Sequence, residues 1–436
     1  MSARAILGLY LAFFVLELAW DVFLTLLNLR YARRHAGAVP AAFAGAVDAG
    51  THARSVSYTL ARGKLGLFAG AVSSAALIAA VLTGFLGVVD AGMRLLPVHR
   101  YLQGILFIAC LSLLSWLIGL PFSLASTFSI EAGFGFNRVT PRLFVVDTLK
   151  SFAISAAIGV PVLLGLFWFM DAAGGLWWVW AFAALSAFQI VMSILYPVVI
   201  APLFNTFTPL PEGPLREAIL SLAARLGFRA KGVFVMDGSR RSRHSNAYFT
   251  GLGRAKRIVL FDTLVGSAGQ EEILSVLAHE IGHARRHHLR KGLAVSLALS
   301  LAGFWIAGLL LHWPPLFQAF GFREASPHAL LVLLAFCAGP FTFFITPLFS
   351  MWSRRHEYEA DRFAVEATES AAGMRSALLR LSRENLSNLL PHPLYSFFHY
   401  SHPTLAERIA ALEAHEAKLG GGASRSTIVP MRPPNG

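Results

Sequence analysis

The stretch His279–Leu311 reads HEIGHARRHHLRKGLAVSLALSLAGFWIAGLLL and joins a histidine-rich segment directly to an apolar run. Its second part, Leu293–Leu311, has no charged residue and is close to the length of about 20 residues that a helix needs to cross a bilayer. In its first part, His279 and His283 are four residues apart, so on a helix they share one face. The stretch therefore predicts polar chemistry at one end of a membrane-spanning helix.

The composition of the whole chain is that of a membrane protein. Of its 436 residues 56% are hydrophobic and only 14% are charged, whereas soluble domains are about 45–50% apolar and about a quarter charged. The net charge is +13. Because the basic residues flank the apolar runs and form no single patch, we interpret them as part of cytoplasmic loops. We expect the bilayer as a partner and no nucleic acid.

The same length rule predicts about seven spans in a mostly α-helical, polytopic protein. The predicted spans are Ala5–Leu29, Leu65–Val89, Leu102–Leu120, Ser151–Met170, Leu176–Ile200, Leu293–Leu311 and Ala329–Trp352.

Lysine and arginine are concentrated in alternate loops. They are frequent in the first loop (30–64), in the third (138–150) and in the fifth (202–292), although Arg94 and Arg100 in the second loop weaken the pattern. Because cytoplasmic loops are enriched in these residues, the odd loops are predicted to face the cytoplasm and the N-terminus to lie outside.

The fifth loop is long enough to fold as a small α+β unit. It is predicted to contain a helix at Pro211–Gly227 and strands at Gly232–Met236, Ala247–Thr250 and Arg257–Phe261. Ser267 with Gln270 fits a capping box that would begin the next helix. The predicted division is an N-terminal region of five spans at 1–201, a cytoplasmic catalytic insert at 202–292, a transmembrane hairpin at 293–352, a C-terminal helical part of the catalytic domain at 353–419 and a disordered tail at 420–436.

The motif His279-Glu280-Ile281-Gly282-His283 predicts a zinc site. Each imidazole can offer one nitrogen to a single ion, and Glu280 on the same helix can take a proton from the attacking water. The alternative is a surface helix that carries two unrelated histidines. The helix-forming run 271–278 before the motif and the span after it favour the metal site.

A catalytic zinc needs a third protein ligand. The chain returns to the same side of the membrane after Trp352, where Glu357 and Asp361 share a helix face. Glu357 is the favoured ligand, and Asp361 is predicted to orient a ligand histidine or the local backbone. Glu359 and Glu366 are the rival carboxylates. The alternative is that these carboxylates lie on an exposed acidic helix face and have no role in a metal site.

Two further pairs of polar residues have two readings each. His287 and His288 are interpreted as basic residues at the membrane interface rather than as ligands. Glu17 and Asp21 lie within the first span, where a charge is costly. They are predicted either to line a chamber or to cap a neighbouring helix or form an ion pair with an arginine.

Several motifs together resemble the type-1 CAAX prenyl proteases, which are multi-span zinc metalloproteases. The similarity extends from the first span to about residue 415. The motifs that carry it are His279–His283, Ser353–Asp361, Ser245–Gly251, Arg257–Thr263, Glu131–Thr140 with Asp147 and Lys150, and Ser401–Arg408.

The resemblance implies a fold and a set of roles. It implies a barrel of about seven helices around a water-filled chamber, with Glu357 as the third ligand and Asp361 as its supporting carboxylate. The strand that begins at Asn246 and Ala247 would bind the substrate backbone by strand addition. His402 would stabilise the oxyanion with Arg408 close by, and the substrate would be a prenylated protein that loses its last three residues.

Two other functions compete with this one. A quality-control membrane metalloprotease would have the same zinc chemistry without prenyl specificity, although proteins of that type have fewer spans. A transporter or scaffold that binds zinc without proteolysis would be expected to show inverted repeats, and we see none in the sequence.

Overall fold

The computed structural model describes residues 1–228, 232–250 and 257–422, most of which are helical. The α-helices of the first half are α1 (Ala3–Arg34), α2 (Ala49–Leu82), α3 (Phe85–Arg94), α4 (Arg100–Ala125), α5 (Pro141–Ala172), α6 (Trp177–Leu195) and α7 (Ala201–Phe204). Those of the second half are α8 (Pro214–Arg225), α9 (Asp262–Ser267), α10 (Gln270–Arg285), α11 (His288–Leu311), α12 (Pro314–Ala319), α13 (Pro327–Thr342), α14 (Thr346–Thr368), α15 (Ala372–Glu384), α16 (Pro393–His399) and α17 (Leu405–Gly422). The strands are β1 (Phe207–Pro209), β2 (Val233–Met236), β3 (Ala247–Thr250) and β4 (Arg257–Phe261).

Seven helices close into a ring. In the order α1, α2, α4, α5, α6, α11 and α13 each helix contacts the next, and α13 contacts α1 again. In the described residues six helices are long and apolar enough to cross a bilayer, and the bent pair α13–α14 brings the number to seven. This confirms the predicted helical barrel of about seven spans.

Two of the predicted spans are not single continuous helices. The predicted span Leu65–Val89 crosses the end of α2, where Gly84 has a φ of 69° and α3 begins a new direction. The predicted span Ala329–Trp352 crosses a bend of 71° between α13 and α14. Pro340 and Pro347 lie on either side of this bend, and each removes a backbone N–H that a continuous helix would need.

One end of the barrel is closed by α3 and α12. Gly87 lies so close to the Gly321 carbonyl that a Cβ atom would not fit between them. In the same region the Nε2 atom of His328 lies 2.7 Å from Oδ1 of the buried Asp90, and Arg94 pairs with the same carboxylate at 2.9 Å. The closed end is therefore packed tightly around the buried Asp90 carboxylate.

The sheet has the order β1-β2-β4-β3. The β2–β4 pair is parallel and the other two pairs are antiparallel. Its core includes Ile258 and Leu260 from β4 and Ile273 and Leu277 from α10. In the described part of the chain β3 is an edge strand that packs next to α10.

The beginning of α10 and the end of α17 differ from the prediction. The N-cap of α10 is Gly269, whose backbone N–H donates to Glu272 at 2.9 Å. The predicted Ser267 cap is wrong because its hydroxyl contacts Glu384 instead. Helix α17 continues to Gly422, so the first residues of the predicted tail are helical. The rest of the predicted tail, residues 423–436, lies outside the described residues.

Candidate metal centre and active site

Helices α10 and α14 bring three potential metal ligands to one point. Gly282 makes their close approach possible, since a Cβ atom there would lie 3.1 Å from the Ala360 Cα atom. One ligand atom from each of His279, His283 and Glu357 lies within 4.8 Å of the others. Two imidazoles and one carboxylate are a ligand set that catalytic zinc sites use.

His279 is anchored through the nitrogen that faces away from this point. Its Nδ1 atom lies 2.8 Å from Oδ1 of Asp361, and the Asp361 side chain is 2% exposed. Because an ionised carboxylate only accepts, Nδ1 carries the hydrogen and Nε2 presents its lone pair to the site. Arg408 donates two hydrogen bonds to Asp361, at 2.8 and 2.6 Å. Asp361 is thus placed where the sequence predicted a supporting carboxylate.

His283 is anchored in the same way by His288, which the sequence did not indicate as part of the site. Its Nδ1 atom lies 2.9 Å from Nδ1 of the buried His288, and Nε2 of His288 lies 3.1 Å from Oε2 of Glu359. The carboxylate fixes the hydrogen of a neutral His288 on Nε2, so Nδ1 of His288 accepts from His283. His288 therefore orients His283. We had expected His288 to be an exposed group at the membrane interface, and this expectation is wrong because its side chain is buried.

The rival carboxylates lie elsewhere. Glu359 is bonded to His288 and also accepts from Arg355 at 3.3 Å. Glu366 lies 3.4 Å from His415. Of the three carboxylates considered, only Glu357 is in the cluster with the two histidines.

Glu280 is partly buried beside the cluster. Burial raises its pKa, and the two neighbouring histidines oppose this shift. For His279, burial alone would lower the pKa, but hydrogen bonds to Asp361 and Glu357 outweigh it and raise the pKa to about 9. Protons and a metal ion therefore compete for the same nitrogen.

His402 and Arg408 come from the segment before α17 and its first turns. The Nε2 atom of His402 lies 3.5 Å from Oε1 of Glu357, and 63% of its side chain is exposed. The Nη1 atom of Arg408 lies 3.7 Å from Oε2 of Glu357. His402 is therefore free to contact a substrate, whereas the contacts of Arg408 hold two residues of the metal site.

A cavity of about 960 Å³ opens in front of His402 and Arg408. Its wall includes α1, α2 and the segment between α15 and α17, and Asp21 lies on it. Asp21 therefore has the predicted cavity-lining position, and the side chain it contacts, at 3.5 Å, is Nε2 of His399 rather than an arginine. Glu17 is not among the described residues that line this cavity.

The third loop fixes the segment that leads into β3. Arg241 donates two hydrogen bonds to Asp147, at 2.9 and 3.1 Å. The His244 ring stacks on Phe136 with centroids 4.2 Å apart and bonds to Asn385 at 2.9 Å. Contacts from two other parts of the chain thus position the beginning of β3, where Asn246 is exposed and Ala247 is half-buried.

The chain matches two family models that together cover most of its length. Residues 28–206 match the model described as CAAX prenyl protease N-terminal, five membrane helices. Residues 209–416 match peptidase family M48.

Curated proteins and a solved structure are similar to the chain over much of its length. The CAAX prenyl protease 1 homolog of Oryza sativa is 40% identical over 321 residues, which are 73% of this chain and 75% of that protein. CAAX prenyl protease 1 of Saccharomyces cerevisiae is 40% identical over 341 residues, 74% of each chain. The human homolog is 35% identical over 356 residues, 73% of this chain and 75% of that protein. The crystal structure of S. mikatae Ste24p is similar with a TM-score of 0.88 and 33% identity, over 95% of this chain and 99% of that one.

These matches confirm the resemblance that the motifs indicated. The relatives exceed a third in identity and share about three quarters of their length with the chain. The chain therefore belongs to peptidase family M48 and, within it, to the CAAX prenyl protease group of integral-membrane metalloendopeptidases.

Proposed function

We propose that the chain uses one zinc ion to remove the last three residues of proteins that end in a prenylated CAAX sequence. The observation that carries the proposal is the convergence of His279, His283 and Glu357 next to Glu280. His402 and Arg408, which lie within 3.7 Å of Glu357, line a cavity of about 960 Å³. The relatives that share this architecture are named as CAAX prenyl proteases.

The residues around the cluster fit a bound zinc ion. His279 and His283 would hold it through Nε2 and Glu357 through its carboxylate, because the other nitrogen of each histidine is already anchored. When bound, zinc polarises the scissile carbonyl and lowers the pKa of an attacking water towards about 7.

The chain's own residues complete the reaction. Glu280 accepts a proton from the attacking water and passes it to the leaving amine. Burial favours this role, because it raises the pKa of Glu280 and makes the carboxylate a stronger base. His402 is exposed beside Glu357 and donates a hydrogen bond to the carbonyl oxygen as negative charge develops. Arg408 acts through Asp361 and Glu357 as a positioning residue.

The edge of β3 is the proposed binding site for the substrate backbone. Phe261 N–H donates to the Asn246 carbonyl at 3.1 Å, and inward and outward groups alternate along an antiparallel edge strand. The backbone groups of Ala247 and Phe249 therefore face outward. The Ala247 N–H is covered by the Asn246 side chain at 2.8 Å, which a substrate carbonyl would replace in strand addition.

We place the catalytic part on the cytoplasmic side of a bacterial inner membrane or of the endoplasmic reticulum. The loops that carry this part are rich in lysine and arginine near the ends of the spans, as is typical of cytoplasmic loops. In this arrangement 202–292 and 353–419 form one catalytic unit below the barrel of 1–201 and 293–352. The two segments of the catalytic unit, 202–292 and 353–419, are joined by the packing of α10 against α14.

The experiment that tests the proposal compares matched peptides, one farnesylated and one unmodified, with detergent-solubilised protein and mass spectrometry. We expect chelator-sensitive release of the last three residues from the farnesylated peptide, and none with Glu280→Gln. Equal cleavage of both peptides would instead indicate a quality-control protease. Absence of cleavage by a zinc-loaded chain would contradict the proposal and favour a zinc-binding scaffold or transporter.

A further inference from the structure

A second cavity of about 1040 Å³ lies inside the helical region, away from the cluster of histidines. Its wall is formed mainly by α2, α4 and α13, and α4 contacts both of the other two helices. The described residues that line it are uncharged, and its only hydroxyl groups come from Ser73, Thr83, Ser112 and Ser115. The cavity is thus an apolar compartment bordered by these helices.

One face of α2 connects the two cavities. Gly63, Gly66 and Gly70 line the active-site cavity, and Ser73, Leu77 and Ala80 line the apolar one. These residues follow one another at steps of three or four, which keeps them on the same side of a helix. Nothing lies within 4 Å of the position of a Cβ atom on Gly66 or Gly70. The helix therefore leaves open space between the active site and the apolar cavity.

The cavity in front of His402 reaches the middle of α2, because Gly63 and Gly66 line it. Gly63 packs against Leu29 of α1, and Asp21, two turns closer to the closed end, contacts His399. The segment that follows α16 leads directly to His402. At 1.5 Å per residue, the rise along α2 from Gly66 to Leu77 is about 16 Å. An extended isoprenoid chain covers this distance.

Building on the proposed function, we propose that the apolar cavity between α2, α4 and α13 binds the isoprenoid chain of the substrate. The modified cysteine would lie next to His402, and its lipid would run along the α2 face into the compartment. A peptide would leave backbone hydrogen bonds unsatisfied there. An isoprenoid has no such groups and gains the free energy of apolar burial.

Filling the cavity tests this assignment. Ala76→Trp and Ala80→Phe place bulk in the wall, and Ala75→Trp is the matched control because Ala75 is exposed and lines neither cavity. We expect either filled variant to lower kcat/KM for a farnesylated peptide, relative to the unmodified peptide, by about tenfold or more. The control should leave this ratio as in the wild type. If both filled variants keep the wild-type ratio and the wild type cleaves normally, the lipid site is wrong but the proposed function still stands.

A second measurement does not depend on the folding of the cavity-filling variants. A farnesylated peptide with a photoreactive group at the end of its isoprenoid is bound to the Glu280→Gln chain and irradiated. Labels in 73–86, 108–118 or 331–336 would support the site, and labels confined to α6, α11 or the surrounding lipid would overturn it. A wild-type chain that cleaves neither peptide would contradict the proposed function and withdraw this inference with it.

Discussion

The Nδ1 atom of His283 lies 2.9 Å from the Nδ1 atom of His288, and His288 is in turn bonded to Glu359. This chain of hydrogen bonds mirrors the contact between His279 and Asp361 on the other side of the cluster. Each potential ligand histidine therefore has one nitrogen fixed and the other aimed at the same point.

Replacing His288 should weaken metal binding. In His288→Phe the ring of His283 loses its hydrogen-bond partner, and we expect zinc affinity to fall by about 10–100-fold. Competition with a chromogenic chelator measures this affinity. His287→Asn is the matched control, since residue 287 is exposed and has a φ of 58° that asparagine tolerates. Equal zinc affinity in His288→Phe and wild type would show that His288 does not support the metal centre.

Arg408 should act on the metal site more than on the substrate. Because both of its close hydrogen bonds go to Asp361, Arg408→Lys keeps the charge but loses the paired geometry. We expect zinc affinity to fall by about tenfold, with activity recovered when zinc is added in excess. A drop in kcat that excess zinc does not reverse would instead place Arg408 at the oxyanion.

The carboxylate of Glu272 should stabilise the start of α10 at neutral pH. Burial alone would raise its pKa, but hydrogen bonds from Ser376, the Gly269 backbone and Arg380 outweigh this and lower the pKa below its usual value. Its contribution is therefore fully present above the ordinary pKa of a glutamate and is lost as the pH falls through the lowered value.

Glu272→Gln tests this dependence. At pH 7 the variant should lose about 1–3 kcal/mol of unfolding free energy, and the difference from wild type should shrink as the pH falls below about 4. Thermal unfolding in detergent at several pH values measures it. The neighbouring Glu271 is exposed, so Glu271→Gln should leave the pH profile unchanged. A stability difference that grows on acidification would show that folding does not lower the pKa of Glu272.

Asn246 should matter for substrate binding and not for the metal. The substrate is proposed to displace the Asn246 side chain from the Ala247 N–H, which leaves the side-chain amide free to bond to the substrate strand. Asn246→Ala removes this amide. We expect kcat/KM to fall roughly tenfold, as for one lost hydrogen bond to the bound peptide, with zinc affinity as in wild type. A loss of bound zinc in this variant would mean that Asn246 supports the fold.

The parts of the structure that follow from local pattern could be predicted from the sequence. Apolar length predicted about seven membrane spans, and the spacing of His279 and His283 predicted two imidazoles on one face. The arrangement of the spans as a barrel was implied by the family resemblance. Glu357 could be favoured because the last span returns the chain to the same side of the membrane. These residues lie together in the structure, as the pattern required.

Features that depend on contacts between distant elements could not be predicted in this way. His288 is basic and next to a span, so its sequence context indicates an exposed interface. Only the packing of α14 places Glu359 against it and makes it part of the metal centre. The cap of α10 depended in the same way on Glu384, which is more than a hundred residues away and engages Ser267.

The most direct test of the central claim is a zinc titration of the metal-free chain, with cleavage of a farnesylated CAAX peptide and bound zinc followed together. Wild type should regain activity in proportion to bound zinc and reach its maximum at about one ion per chain. Glu280→Gln should bind the same amount of zinc and stay inactive. Full activity in the metal-free wild type, or normal cleavage by zinc-loaded Glu280→Gln, would contradict the account.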